Sequence, residues 1–242
     1  MKTLLSLLLA SILSIASFAT VAEESRDNGP YYAFYHMQVA NPAAVVSAMD
    51  AFWESDCGKR YPADVALLQE SFNGASTSTH FIINTFQTSA DQAKAGEIMR
   101  SCPAAGEFLQ ALNAAGTVQT SQYMGAAPID ANDWTQDTVF SKFDIIVEPQ
   151  NQQRYAAAYA KMMAKISRDV ELRSYGLGAI ACGRDSFTHW VWTGARSIPE
   201  LNATGERVNT HPAFQEFNQD VGRMRDLVNT SQNIVIKGYA RQ

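Results

Sequence analysis

The chain has 242 residues, of which 46% are hydrophobic and 18% are charged, a composition typical of an ordinary globular protein. Its formal net charge is −5, and its Lys and Arg residues are dispersed along the sequence. Nucleic acids and anionic membranes bind clustered basic faces, so we expect no nucleic-acid partner.

The N-terminus has the pattern of a secretory signal peptide. Lys2 precedes a run of apolar residues that ends at Leu13, and small residues follow it. The run is too short for a membrane span of about 20 residues. We therefore expect a signal peptide over residues 1–22, a flexible leader over 23–29, and a mature periplasmic or secreted protein without a membrane span.

The first half of the mature chain predicts the order strand, helix, strand, strand, helix, strand. Asn41 and Pro42 mark a helix start, because Asn is a favoured N-cap and Pro is favoured at the first helical position. Ser89 is predicted to cap the second helix, which is interrupted near Cys102. Hydrophobic patterning places the four strands at 31–39, 64–72, 80–86 and 117–124.

The second half predicts the same order. It follows a linker over 128–137, where Pro128 and several Asp and Asn residues disfavour regular structure. Thr210 is expected to cap the restart of its second helix at Pro212. The strands are predicted at 139–147, 170–182, 187–193 and 233–239, and the helices at 151–166 and 199–227.

The two halves also match residue by residue under one constant shift. The Thr-His-Phe at 79–81 falls on the Thr-His-Trp at 188–190, and Pro103 falls on Pro212, without a gap. This register predicts a duplication into two ferredoxin-like βαββαβ repeats, at 30–127 and 138–242. Each such sheet has one face bare of helices, and two copies can cover each other's bare faces. We therefore expect an α+β fold in which the repeats form an intramolecular pseudo-dimeric α/β barrel.

The second half contains a strand and a broken helix with a characteristic restart. After the strand, Ser197 opens a helix, and the residues Thr-His-Pro-Ala-Phe at 210–214 restart it. This arrangement resembles the dimeric α/β-barrel superfamily, which includes antibiotic-biosynthesis monooxygenase-like domains and, in duplicated form, chlorite dismutase-like haem proteins. The first half shows the same plan with Cys102 in place of His211. The resemblance implies the fold and leaves several activities open.

Two histidines on strands are candidate catalytic residues. The duplication places His80 and His189 at the same point of both halves. If the aromatic rows of these strands lie beneath the helices, both histidines line the space between the sheets, where imidazole can transfer a proton near neutral pH. The alternative is a structural histidine that is hydrogen-bonded to Thr79 or Thr188.

The neighbours of these histidines are candidate ligand contacts. Asn84 shares the strand face of His80, and Thr193 shares that of His189. Trp190 and Trp192 lie on the opposite face of their strand, and their alternative role is in the core.

His36 is the third candidate catalytic residue. Alignment of the first strands of the two halves puts Asp144 opposite it, so one barrel face is expected to present an imidazole and a carboxylate. Asp144 is accordingly a predicted ligand contact. The alternative is that both are half-exposed strand residues.

The three cysteines leave the disulfide question open. If the first two helices pack side by side, a bridge between Cys57 and Cys102 is geometrically possible, and the alternative is three separate thiols. Their spacing matches no zinc-binding pattern, so we expect no metal.

These observations do not decide whether the protein is an enzyme. We expect a small, largely apolar molecule bound between the two sheets, with cofactor-independent monooxygenase-like chemistry as the catalytic hypothesis and no cofactor. A haem-binding protein of the duplicated barrel type and a non-catalytic periplasmic interaction domain are the alternatives. The expected assembly is a monomer with an internal pseudo-dimer, or a higher oligomer.

Overall fold

The structure is a computed structural model that describes residues 29–183 and 186–241. The predicted signal peptide at 1–22 and the leader up to residue 28 lie outside the described residues. The strands are β1 (Tyr31–Gln38), β2 (Asp64–Ser71), β3 (His80–Phe86), β4 (Val118–Ala131), β5 (Val139–Val147), β6 (Tyr175–Cys182), β7 (His189–Ala195) and β8 (Arg225–Tyr239). The α-helices are α1 (Pro42–Glu54), α2 (Ser89–Ser101), α3 (Pro103–Ala114), α4 (Gln152–Asp169), α5 (Ile198–Thr210) and α6 (Pro212–Val221).

The eight strands close into one antiparallel barrel. Their order around the barrel is β1-β3-β2-β8-β5-β7-β6-β4, so each half of the chain supplies four neighbouring strands. Two seams join the halves, where β2 pairs with β8 and β4 pairs with β6. The predicted α+β class is confirmed, and the closed barrel is consistent with a pseudo-dimeric ferredoxin-like fold.

Strand β4 extends into the predicted linker. It continues through Pro128 to Ala131, and Ile129 pairs with Leu177 of β6. The pairing register shifts between Ala126 and Ile129, which accommodates a proline that cannot donate to the strand ladder. The prediction that residues 128–137 lack regular structure is therefore wrong for residues 128–131, which belong to β4.

The helix starts agree with the sequence at α1 and at α5, which Ser197 opens as expected, and the caps differ at two other helices. Asn41 caps α1 by accepting a hydrogen bond from the Ala44 amide at 3.1 Å, as predicted. Thr88, not Ser89, caps α2, because Asp91 completes a capping box with it. At α6 the cap is His211, whose Nδ1 accepts from the Ala213 amide at 3.1 Å. The hydroxyl of the preceding threonine, predicted as this cap, bonds within α5 instead.

Helices cover the outer faces of the barrel. In the first half, α1 packs on α3, and Cys57 and Cys102 form a disulfide with their Cα atoms 6.5 Å apart. In the second half, α4 packs on α6. No helix in the described part of the chain has the length and apolar character needed to cross a membrane.

Candidate functional site

The side chains of the barrel strands alternate between an inner and an outer face. Leu67 and Ile82 point outward against the helices of the first half, and Ile145 and Leu177 point outward in the second half. The inner face carries the large aromatic residues Tyr32, Phe34, Phe81, Tyr123, Phe140, Trp190 and Trp192. The expectation that the aromatic rows lie beneath the helices is therefore wrong.

This alternation also fixes the positions of two predicted catalytic residues. His80 and His189 each precede an inward-facing aromatic residue, so both lie on the outer face, away from the space between the sheets. Both are buried, and the Nδ1 atoms lie 2.8 and 2.7 Å from the hydroxyls of Thr79 and Thr188. Burial lowers the pKa of His80, although the charge of Glu70 acts in the opposite direction. Their predicted position is corrected, and their catalytic role stays a prediction.

A cavity of about 240 Å³ lies between the outer face of the second-half sheet and helices α4, α5 and α6. We call it the helix-side cavity. Most of its lining is apolar, from Phe143, Ile145, Tyr155, Tyr159, Met162, Met163, Val191, Leu201, Val208, Phe214, Phe217 and Leu227. Its polar lining residues are Ser141, Thr193, Thr204, Asn209 and Arg225.

The helix-side cavity exists because α4 presents large side chains to the sheet, whereas α5 presents smaller ones. Helix α4 turns Tyr155, Tyr159 and Met163 toward the sheet, at the spacing of a buried helical stripe. Helix α5 contributes smaller residues, including Thr204 and Gly205. A Cβ atom built on that glycine meets no atom within 4 Å. The space beneath α5 is therefore left open by small side chains.

Arg225, at the start of β8, is the only charged residue among the described residues that line the helix-side cavity. Its Nη1 donates to the Tyr155 hydroxyl at 2.9 Å, and its Nη2 donates to Oδ1 of Asn218 at 2.9 Å. The guanidinium lies 5.2 Å from the ring centroid of Phe217. Burial raises the pKa of Tyr155, and the charge of Arg225 opposes this shift. The pair can stabilise a negatively charged oxygen at an otherwise apolar wall.

A second polar group is buried inside the barrel. The Nδ1 atom of His36 lies 3.2 Å from Oε2 of Glu70, and its Nε2 lies 3.5 Å from the Tyr123 hydroxyl. Lys142 forms a buried ion pair with Asp144. The predicted acid and base thus share the inner face, but His36 contacts a different carboxylate from the one expected.

Sequence reasoning missed Glu70 and Lys142. Strand alternation could have predicted that both point into the barrel. Glu70 shares a strand face with Ala66 and Leu68, and Lys142 shares one with Phe140. Burial opposes ionisation of Glu70, but hydrogen bonds from His36 and Ser78 and the charge of Lys142 leave its pKa lowered.

The space between the two sheets is mostly filled by the inner aromatic rings. About 50 Å³ remains, next to Lys142 and Asn233. An apolar cavity of about 150 Å³ holds benzene, so this remainder is too small for an apolar molecule of that size. The volume between the sheets therefore gives no support to the expected ligand position, which stays a prediction.

The predicted ligand contacts are distributed over three environments. Thr193 lines the helix-side cavity. Asn84 donates to the Tyr61 hydroxyl at 3.0 Å in the first half. Trp190 and Trp192 belong to the aromatic core of the barrel. Of these residues, the structure brings only the threonine to the larger cavity.

The described residues of the helix-side cavity do not fit haem. Haem iron is held by His, Cys or Tyr, or by Met together with His. No His or Cys lines the cavity, and the hydroxyls of Tyr155 and Tyr159 are bonded to Arg225 and to the Gly176 carbonyl. The ring nitrogens of His211 are both engaged, by the Ala213 amide and by a carboxylate at the end of α4.

Comparisons with known proteins agree on the architecture. The sequence matches no protein-family profile and no curated protein. A protein from Lactobacillus acidophilus, proposed to be a monooxygenase, aligns with a TM-score of 0.60 and 10% identity over 88% of this chain and 96% of its own. An anthrone oxidase-like protein aligns with a TM-score of 0.54 and 12% identity over 87% and 93% of the two chains.

A haem-binding protein from Thermus thermophilus aligns with a TM-score of 0.51 and 8% identity, over 86% of this chain and 92% of its own. At such low identities the likeness concerns the fold alone. The chain therefore has the fold of the dimeric α/β-barrel superfamily, as the resemblance of its second half predicted.

Proposed function

We propose that the protein binds a small, largely apolar molecule in the helix-side cavity. The observation that carries this proposal is the cavity itself, with a volume of about 240 Å³, a mainly apolar lining and a small number of polar groups. Ligand sites in proteins are likewise mostly apolar with a few polar groups, and this volume lies just below their usual range of about 300–1,000 Å³. Scaling from the benzene-sized cavity, the volume encloses about ten non-hydrogen atoms, and because the cavity is partly open to solvent, a larger ring system can extend out of it.

A glycine pair offers a matched test of this proposal. Gly205→Leu introduces a side chain into the cavity, and Gly106→Leu does the same on the exposed surface of α3, where a Cβ atom also meets nothing within 4 Å. Both changes should stabilise their helices by up to about 1 kcal/mol. Only the cavity variant should weaken binding of the neutral fluorophore 1-aminoanthracene, by roughly tenfold or more. Equal binding by both variants contradicts the proposal.

Monooxygenase-like chemistry without a cofactor is a second candidate function. The likeness to a protein proposed as a monooxygenase and to an anthrone oxidase-like protein supports it as a hypothesis. The supporting observation is the contact of Arg225 with Tyr155, which could stabilise an oxyanion formed when an electron-rich substrate loses a proton. The substrate would supply the electrons that reduce dioxygen.

Oxygen uptake tests this second function. Wild-type protein is mixed with anthrone and dioxygen, and both oxygen consumption and the appearance of the quinone are followed. Uptake that is lost in Arg225→Met supports the hypothesis. Absence of uptake above the buffer rate, in protein that still binds 1-aminoanthracene, contradicts it and leaves the binding function intact.

We also propose that the protein is exported to an oxidising compartment. The apolar N-terminal pattern and the disulfide between Cys57 and Cys102 support this, because disulfides persist mainly outside the reducing cytosol. Cell fractionation, with mass spectrometry of the mature N-terminus, tests it. An intact N-terminus on cytosolic protein contradicts it.

The duplication is likewise a proposal about origin. The matched order of elements in the two halves and the constant sequence shift support it. Independent expression of residues 30–127 tests one physical consequence, since a single repeat with an uncovered sheet face should self-associate into a dimer. A stable monomer contradicts that expectation.

A further inference from the structure

Arg225 is a half-buried cation without an anionic partner in the described part of the chain. None of the ion pairs among the described residues includes it. The acidic residues of the neighbouring helix α6 are committed elsewhere, since Glu216 pairs with Lys165 and Asp220 pairs with Arg154. A partly desolvated charge favours a partner of opposite sign.

The hydrogen bonds of Arg225 leave room for such a partner. A guanidinium has five N–H donors, and two of them donate to Tyr155 and Asn218. Both acceptors are neutral, so they do not balance the charge. The Tyr155 hydroxyl accepts from the arginine, which leaves its own proton available for a further acceptor.

The surroundings of Arg225 place its guanidinium at the wall of the helix-side cavity. The guanidinium lies over the rings of Phe217 and Tyr155, at 5.2 and 5.9 Å from their centroids. These rings also line the cavity. The planar fork of Arg matches a carboxylate in a bidentate arrangement. If a carboxylate binds Arg225 at this wall, the rest of the ligand therefore lies among the apolar side chains of the cavity.

We propose that the ligand of the helix-side cavity is an amphipathic monocarboxylate. Its carboxylate binds Arg225 and accepts from Tyr155, and its apolar body lies against Met163, Val208 and Phe214. This inference rests on the proposed function, because it assigns a chemical class to the same ligand. The cavity volume suits medium-chain fatty acids or aryl-substituted short acids of about ten non-hydrogen atoms.

Two matched probes test the proposal. Octanoate and octanamide have the same length and differ only in the charge and donor pattern of the head group. Binding of each is measured by displacement of 1-aminoanthracene and by calorimetry, with wild type, Arg225→Met, Arg225→Lys and Gly205→Leu. A charge-assisted pair should favour octanoate over octanamide by about 10- to 100-fold in the wild type.

The variants distinguish the contribution of the Arg225 charge to binding from the contribution of the cavity volume. Arg225→Met should remove the preference for octanoate and leave octanamide binding within about threefold, whereas Arg225→Lys should retain part of the preference. Gly205→Leu should weaken both probes. Equal wild-type binding of the two probes overturns the carboxylate assignment while the binding function stands. Failure of both probes and of 1-aminoanthracene overturns the binding function as well.

Discussion

The two halves of the molecule carry the same elements but fill the layer beneath their helices differently. In the first half, Met49, Phe52 and Phe108 belong to one packed cluster that also contains both cysteines of the disulfide. In the second half, small residues of α5, including Gly205, leave the helix-side cavity open. The comparison shows that one fold can pack this layer closely in one half and leave a cavity in the other, where we propose the binding site.

Removal of the disulfide should have the largest effect on stability. The Cys57→Ser, Cys102→Ser double variant should lose about 4 kcal/mol of unfolding free energy, because the bridge closes a loop with a sequence separation of 45 residues. Urea unfolding measures the loss. Cys182→Ser is the control, since this cysteine is free and exposed. Binding of 1-aminoanthracene to the folded double variant should persist, and its loss would contradict the division of roles between the halves.

Truncation of one buried methionine in each half sharpens the comparison. Met49→Ala should cost about 3 kcal/mol, because this side chain is fully buried in the packed layer. Met163→Ala should cost about half as much, because Met163 borders the helix-side cavity and has fewer contacts to lose. Chemical denaturation gives both values. Equal costs would show that the two layers are packed to the same density.

The equivalent helix caps provide a smaller test. Thr88 accepts from the Asp91 amide at 3.1 Å, and Ser197 accepts from the Glu200 amide at 3.3 Å. Substitution of either cap by Ala should cost about 1 kcal/mol. Only Ser197→Ala should weaken ligand binding, because α5 covers the cavity. Thermal unfolding and fluorophore titration of both variants measure the two effects, and a binding loss in Thr88→Ala would contradict the assignment.

The smallest expected effect is a pH dependence from His80. Burial lowers its pKa in the folded state below the ordinary value of about 6.5, so the unfolded state binds the proton more readily. Its contribution to stability is therefore present above pH 6.5 and is lost as the pH falls toward the folded pKa. Unfolding free energies from pH 7.5 to pH 5 should show a shallower decline in His80→Gln. An unchanged slope contradicts the prediction.

Strands with clear patterning were predictable from the sequence. β3 and β5 have the predicted bounds, because apolar runs end at turn residues there. β8 was predicted at 233–239 but begins at Arg225, since the polar residues at its start are held by pairing with β5 rather than by burial. β6 begins later than predicted because Asp137 binds Arg173 and Ser174 in the preceding loop.

The site was less predictable than the fold. Both faces of the barrel strands are apolar, so residue size did not reveal which face points inward, and the assignment of Trp190 and His189 was reversed. The helix-side cavity depends on where the small side chains of α5 lie against the sheet and α4, a tertiary arrangement that no local pattern specifies. Arg225 lay outside every predicted strand, and its contact with Tyr155 joins residues far apart in the chain.

Closure of the strands into a ring has a consequence for the behaviour of the molecule at high concentration. The seams between β2 and β8 and between β4 and β6 leave no strand of the ring with an unpaired edge. Strand addition from a neighbouring molecule, the first step of templated aggregation, therefore has no starting point on the strands of this barrel. Opening of one seam would expose two backbone edges together, so strand addition to the barrel would first require one seam to break.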